Sequence, residues 1–377
     1  MNIIIDIRPL LTTPRTGVGE YTFELLDHLF KIDKTNQYFL YYNSFKNIDH
    51  LIPNWQQNNV RIIKTVYPNK LFNLSLIIFK YPKLDKLVKK KTGIKPDIFF
   101  SPNLNFLALS KGIKKILTVH DLSYTLYSEF YSFHQRLWHK IISPKKQCQE
   151  ADVIFTPSNN TKQDLIKYYK INQEKIKVTP LGLSTNFINP IFTNIRQKYN
   201  LTHDYLLFLG TIEPRKNVLG IIKAFEKSQN IFFGDLVLAG AQGFQYKKIL
   251  DYIKKSPVKD RIKIIDYVDK SDKPALYKNA KIFLFPSFYE GFGLPVLEAM
   301  SVSTPVITSN RSSLSEITNN TAWLVNPYRI NEISEAIKKI LTDEKLRNRM
   351  KEEGIKQADG FRWEKVVELL HPHTSSK

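Results

Sequence analysis

The sequence predicts an α/β protein built from two doubly wound domains, and three observations carry that expectation. Short apolar runs alternate with stretches of helical period, which is the pattern of a parallel sheet with helices on both faces. The pattern stops and then starts again. The 377 residues are too many for one ordinary core and enough for two.

The runs of the first half fall at residues 2–7, 38–42, 60–64, 98–101, 115–118 and 153–156. Those of the second half fall at 205–210, 235–239, 262–265, 282–285, 305–308 and 322–325. Residues 179–190, punctuated by Pro, Gly and Asn and without a sustained period, suit a linker. The boundary is expected near Asn186, giving domains 1–186 and 187–360. A closing segment, 361–377, follows, and its polar tail should fray after Pro372.

Met1 to Asp6 puts an acid after a three-residue apolar run, the mark of a buried strand rather than a signal peptide. No later apolar run is long enough to cross a bilayer. Cys148 is the only cysteine, which excludes an intrachain disulfide and a cysteine-rich zinc site and fits a reducing, cytoplasmic compartment. A formal charge of +21 implies an anionic partner. Lys70, Lys80, Lys83, Lys86, Lys89, Lys90 and Lys91 surround the apolar residues 71–79. That cluster fits a peripheral contact with an anionic membrane surface, or else a helix docked on its own domain with solvated lysines. No nucleic-acid recognition module is visible, so nucleic acid is not an expected partner.

In open parallel sheets ligands sit beyond the carboxyl ends of the strands, so the residues after each strand carry the functional information. The richest string is 286–300, Pro-Ser-Phe-Tyr-Glu-Gly-Phe-Gly-Leu-Pro-Val-Leu-Glu-Ala-Met. Gly291 and Gly293 allow close backbone approach, and Pro295 suits the first turn of a helix whose N-terminus favours a diphosphate. Glu290 belongs to the loop and Glu298 lies about one turn into the helix, so the two carboxylates reach different parts of one bound molecule.

After the run at 205 comes Gly-Thr-Ile-Glu-Pro-Arg-Lys-Asn, where Arg215 and Lys216 pair a fork donor with a point charge and suit a diphosphate leaving group. Gly17 and Gly19 follow the opening strand and read as a glycine-rich phosphate turn leading into a helix at 21–29. The full dinucleotide fingerprint is missing, which disfavours hydride transfer. His120 follows the run at 115–118, at the functional edge of the first sheet. No Asp-Xaa-Asp follows a strand, and no metal site is expected.

Taken together, these segments resemble glycosyltransferase family 4, the retaining enzymes whose two Rossmann-like domains face across a cleft in the GT-B arrangement. The resemblance spans nearly the whole chain and is densest over 290–309. It implies a first, acceptor-binding domain, a second, nucleotide-sugar-binding domain, and a closing helix that returns to the first domain. It also implies Glu290 and His120 beside the transferred sugar, and Gly17, Arg215 and Lys216 on the diphosphate. Backbone amides of Phe292, Gly293 and Leu294 would meet sugar hydroxyls or phosphate, Glu298 the ribose, and Val268 the base. Thr211, Ser303 and Leu181-Gly182-Leu183-Ser184 depart from the family pattern and bear on donor detail and hinge geometry.

Segments 5–10, 17–22 and 211–217 look most like bacterial polysaccharide mannosyltransferases. The resemblance then implies a metal-independent, retaining transfer of a hexose, mannose favoured, from GDP-mannose to a glycan or lipid-linked glycan. A non-catalytic or epimerase-like nucleotide-sugar-binding protein of the same fold is the alternative.

Overall fold

The computed structural model describes residues 1–374 and divides them into two compact α/β units. The first comprises Met1–Leu122, Phe133–Gly182 and the C-terminal segment from Trp363. Ser123–Ser132 and Leu183–Arg362 form the second.

Seven parallel strands make the first sheet: β1 (Asn2–Asp6), β2 (Gln37–Asn43), β3 (Val60–Thr65), β4 (Ile98–Ser101), β5 (Lys114–Thr118), β6 (Val153–Thr156) and β7 (Ile176–Val178). Their order is β3-β2-β1-β4-β5-β6-β7. Six strands match the apolar runs. The seventh, β7, escapes a period-based reading because it is three residues long and carries an exposed Lys177 at its centre.

Helices pack on both faces of this sheet. On one, Ile3, Ile5 and Phe100 pack under Leu25, Leu26 and Leu29 of helix α1 (Gly17–Ile32). On the other, Ile4, Phe39 and Phe99 meet Phe72 and Leu76 of α2 (Asn69–Ile78) and Leu84 and Val88 of α3 (Leu84–Thr92). Two further helices, α4 (Phe133–Ile142) and α5 (Pro144–Glu150), precede β6. Helix α1 begins at Gly17, four residues before the expected start, because the Thr16 side chain caps it by accepting from the Gly19 N–H at 3.3 Å. The glycine-rich segment is therefore the helix's first turn rather than a separate phosphate loop.

The second sheet has β8 (Tyr205–Leu209), β9 (Asp235–Ala239), β10 (Ile262–Ile265), β11 (Ile282–Phe285), β12 (Val306–Ser309) and β13 (Trp323–Val325). They run parallel in the order β10-β9-β8-β11-β12-β13. Helices α6 (Val218–Lys227) and α7 (Leu294–Ser301) follow β8 and β11. Ser303, where the family pattern has glycine, adopts φ 63°, the left-handed region in which glycine carries no steric cost.

The C-terminal helix, Trp363–Thr374, belongs to the first unit and buries Trp363, Val366, Val367 and Leu370 in the core beside α1. That anchorage carries the helix through Pro372, beyond the point where fraying is expected; residues 375–377 of that tail lie outside the described residues. Trp363→Ala should cost the first unit about 3–5 kcal/mol in denaturant unfolding. Trp363→Phe should cost far less, because the buried indole N–H it removes has no partner.

Candidate active site

The strand order of the second sheet reverses between β8 and β11, the position at which open α/β sheets form their binding crevice. The loops leaving those two strands carry Arg215 with Lys216 and Glu290. A short 3-10 turn, Pro214–Lys216, ends at Asn217, whose φ of 58° turns the chain into α6. The Asn217 side-chain amide donates to the carbonyls of Pro286 (3.2 Å) and Pro327 (2.7 Å), tying the two loops together. The Phe288 N–H completes the link by donating to the Arg215 carbonyl at 3.0 Å.

This backbone brings three charged groups into one buried cluster. Lys216 Nζ lies 2.6 Å from Glu290 Oε1, and Arg215 Nη1 lies 3.3 Å from Oε2. Arg215 also donates to the Tyr289 carbonyl at 2.9 Å and pairs with Glu213 at 2.9 Å. Burial is the largest influence on the Glu290 carboxyl and pushes its pKa up, yet Lys216 and Arg215 together bring it below the ordinary value. Burial pulls the Lys216 ammonium down, with Glu290 opposing it. The sequence places both cations on a diphosphate; in the structure both are engaged by carboxylates.

The Glu290 loop is pinned from the helix after β12. Ser312 accepts from the Glu290 N–H at 3.0 Å, and Ser313 donates to the carbonyls of Glu290 (2.9 Å) and Phe292 (2.6 Å). The N–H groups of Phe292, Gly293 and Leu294 make no hydrogen bond among the described residues. Gly293 sits at φ 112°, and a Cβ there would lie 2.6 Å from Leu314, so both conformation and space demand glycine. Five residues into α7, Glu298 is buried with one oxygen accepting from the Tyr277 hydroxyl at 2.9 Å. Its other oxygen has no hydrogen-bond partner among the described residues.

Val268 follows β10, as expected, but its side chain is buried, so only its backbone and neighbours such as the exposed Tyr267 face outward. Asp269 of the same loop pairs with Lys198 at 2.6 Å. Among the described residues no group of three or more His, Cys, Asp or Glu is placed to hold a metal ion.

On the first unit, Gly17 is exposed and a Cβ there would meet nothing, whereas one on Gly19 would lie 2.9 Å from the Pro9 carbonyl. Gly19 therefore serves packing and Gly17 leaves open space. The ring of His120 packs edge-on against Tyr21, with centroids 4.7 Å apart, and its Nε2 donates to the Pro102 carbonyl at 2.9 Å. A carbonyl only accepts, so the proton sits on Nε2 and Nδ1 carries a free lone pair. Burial lowers the His120 pKa, which keeps the ring neutral at pH 7.

Sequence reasoning missed Asn217, Tyr277, Ser312 and Ser313. Asn217, in the loop after β8, and the two serines, shortly after β12, had a positional signal; Tyr277 had none.

Residues 192–357 match the family described as Glycosyl transferases group 1, and residues 15–187 match Glycosyltransferase Family 4. O-antigen chain mannosyltransferase B of Escherichia coli is 28% identical over 375 residues, covering 97% of each chain. Among solved structures, sucrose-phosphate synthase from Thermosynechococcus elongatus superposes with a TM-score of 0.77 at 20% identity over 99% of this chain and 98% of that one. Anabaena HepE, solved in complex with UDP and glucose, gives 0.72 at 17% identity over the whole of both chains. The chain is a GT-B-fold glycosyltransferase related to the group 1 and family 4 mannosyltransferases.

Lys216→Ala strands a buried carboxylate and should destabilise the second unit by about 3 kcal/mol. Glu290→Ala in the same chain should recover part of that loss, and a double-mutant cycle on unfolding free energies checks it. The depressed His120 pKa means that the unfolded chain takes up the proton first. Stability should therefore fall as the pH drops below about 6.5. His120→Gln should remove a share of that slope in urea unfolding between pH 7.5 and 5.5, while half-buried His139 retains its own.

Proposed function

We propose that the protein is a retaining, metal-independent mannosyltransferase that uses GDP-mannose and extends a glycan or lipid-linked glycan. The observation that carries this reading is the Glu290 carboxylate, kept ionised between Lys216 and Arg215 and followed at once by three unengaged backbone amides. The similarity to O-antigen chain mannosyltransferase B supports mannose.

In a retaining transfer the C1–O bond to the diphosphate loosens while the acceptor oxygen attacks the same face. Little covalent work falls to the protein, and the electrostatics matter most. The amides of Phe292, Gly293 and Leu294, with the N-terminus of α7, receive the charge that builds on the leaving group, aided by Arg215 and Lys216. Glu290 supports the oxocarbenium-like sugar from a fixed position, and the departing phosphate oxygen takes the acceptor proton. Two cations at the diphosphate fill the role of a divalent ion. The free oxygen of Glu298 binds a ribose hydroxyl, and the backbone around Val268 meets the base. His120 and Gly17 are the first unit's contributions, at the sugar and the phosphate. The protein works in the cytoplasm, and its basic segment 70–91 lets it rest on an anionic membrane.

Glu290→Gln keeps the shape and removes the charge, so kcat should fall about 100-fold or more with donor affinity nearly unchanged. Glu298→Gln should raise the donor KM about tenfold and leave kcat within about twofold, because a ribose contact is made equally in ground and transition states. Steady-state kinetics with GDP-mannose, read against UDP-glucose as control donor, separate the two effects. Parent-rate turnover by Glu290→Gln would sink the assignment.

A further inference from the structure

Glu290 is balanced by two cations, whereas Glu298, the second acid of the same string, has none. The residue is only 8% exposed, and no ion pair among the described residues involves it. Its one hydrogen-bond donor is neutral, the Tyr277 hydroxyl, 2.9 Å from Oε2. The second oxygen, Oε1, accepts no hydrogen bond among the described residues and is not enclosed. A buried carboxylate without a cation is costly as a packing element, since methionine or glutamine fills similar space without desolvating a charge. The arrangement fits an acid that accepts hydrogen bonds from something outside the chain.

The donor that serves Glu298 is itself held from several sides. Tyr277 lies on a short helix, Lys273–Lys278, between the loop after β10 and strand β11, and is fully buried. Its ring makes T-shaped contacts with Phe283 of β11, centroids 5.0 Å apart, and with Phe187 at 5.8 Å. Thr304 donates its hydroxyl to the Tyr277 carbonyl at 2.8 Å, and the buried Tyr205 donates to the neighbouring Leu276 carbonyl at 2.7 Å. Both carbonyls belong to the last turn of the helix, whose acceptors need partners from outside it. Burial first, and the Glu298 carboxylate second, hold the Tyr277 hydroxyl well above its ordinary pKa, so the hydroxyl keeps its proton and donates. Phenylalanine would supply the same packing. The hydroxyl has Glu298 as its only partner among the described residues.

We infer that Tyr277 is a positioning residue for donor recognition. By occupying Oε2 it fixes the plane of the Glu298 carboxylate and presents Oε1 to the ribose hydroxyls of a nucleoside diphosphate. The site thereby tells a ribonucleotide from one that lacks those hydroxyls. This inference rests on the proposed ribose contact of Glu298 and adds the group that aims it. A carboxylate free to turn about its last torsion has to be ordered at the moment of binding, and a carboxylate already held in place avoids that cost. Because the contact is the same in ground and transition states, its loss is read in affinity and not in kcat.

Isothermal titration of the full chain with GDP and with dideoxy-GDP, which lacks both ribose hydroxyls, tests the inference. The parent should bind GDP about tenfold more tightly than dideoxy-GDP. Tyr277→Phe should weaken GDP about fivefold and leave dideoxy-GDP within about twofold. In steady-state kinetics it should raise the donor KM by a similar factor with kcat unchanged. In a Glu298→Met background the same change should affect neither nucleotide further. That pair of variants holds no stranded carboxylate, so the comparison stands even where Tyr277→Phe alone folds poorly. Thr304→Val removes a hydrogen bond from the same residue but keeps the Tyr277 hydroxyl; it should lower the melting temperature and leave the ratio of the two affinities alone. Equal weakening of both nucleotides by Tyr277→Phe, no weakening of either, or the same loss in the Glu298→Met background would reduce Tyr277 to packing and overturn the inference. A parent that binds the two nucleotides equally would instead overturn the ribose role of Glu298, and this inference with it.

Discussion

The second unit is organised around the burial of one carboxylate. An ionised side chain withdrawn from water costs several kcal/mol unless partners compensate it, and Glu290 has only 9% of its side chain exposed. The compensation comes from Lys216 and Arg215, which reach it because β8 and β11 are neighbours in the sheet. Asn217 fixes the turn that aims both cations, and Ser312 and Ser313 fix the backbone on either side of the acid. Remove the adjacency of β8 and β11 and neither cation reaches the acid.

On the proposed function, the same cluster sets the terms on which a diphosphate would bind. Arg215 and Lys216 contribute two positive charges, and Glu213 and Glu290 contribute two negative ones. The cluster is therefore neutral as it stands, and its cations attract an incoming anion less than two free cations would. The remaining stabilisation falls to neutral donors, the three amides and the N-terminal end of α7. That division suits a reaction in which charge moves during the chemical step. In the proposed reaction Glu290 would stay fixed while the amides took up the negative charge that develops on the leaving group.

Much of this was legible in the sequence, for identifiable reasons. Strands buried on both faces read as continuous apolar runs, so six of seven and six of six strands stood out, and β7 did not because it is short and polar at its centre. Residues after strands are chemically distinctive, which brought Glu290, Arg215, Lys216 and His120 forward. Their mutual pairing was illegible, because no spacing along the chain encodes which two loops the strand order places side by side. Tyr277 was missed for a related reason, since a tyrosine inside a helix looks like any core aromatic until its hydroxyl is seen to meet Glu298. Ser303 went the other way: its departure from glycine was plain in the sequence, and the structure supplies the meaning, a left-handed residue that a non-glycine must adopt at a cost.

Basic charge in this protein does two separable jobs, and salt tells them apart. Lys216 is enclosed against its partner, where mobile ions do not come between the charges, so its contribution persists at high ionic strength. Lys80 and Lys83 have no ion pair among the described residues and line a cavity flanked by exposed apolar stripes. Their attraction for an anion is screened over about 10 Å at 0.1 M salt. A formal charge of +21 is consequently a poor guide to the candidate active site, whose cations are already balanced. It says more about the uncompensated lysines of the first unit, where the excess is free to act on something outside the chain.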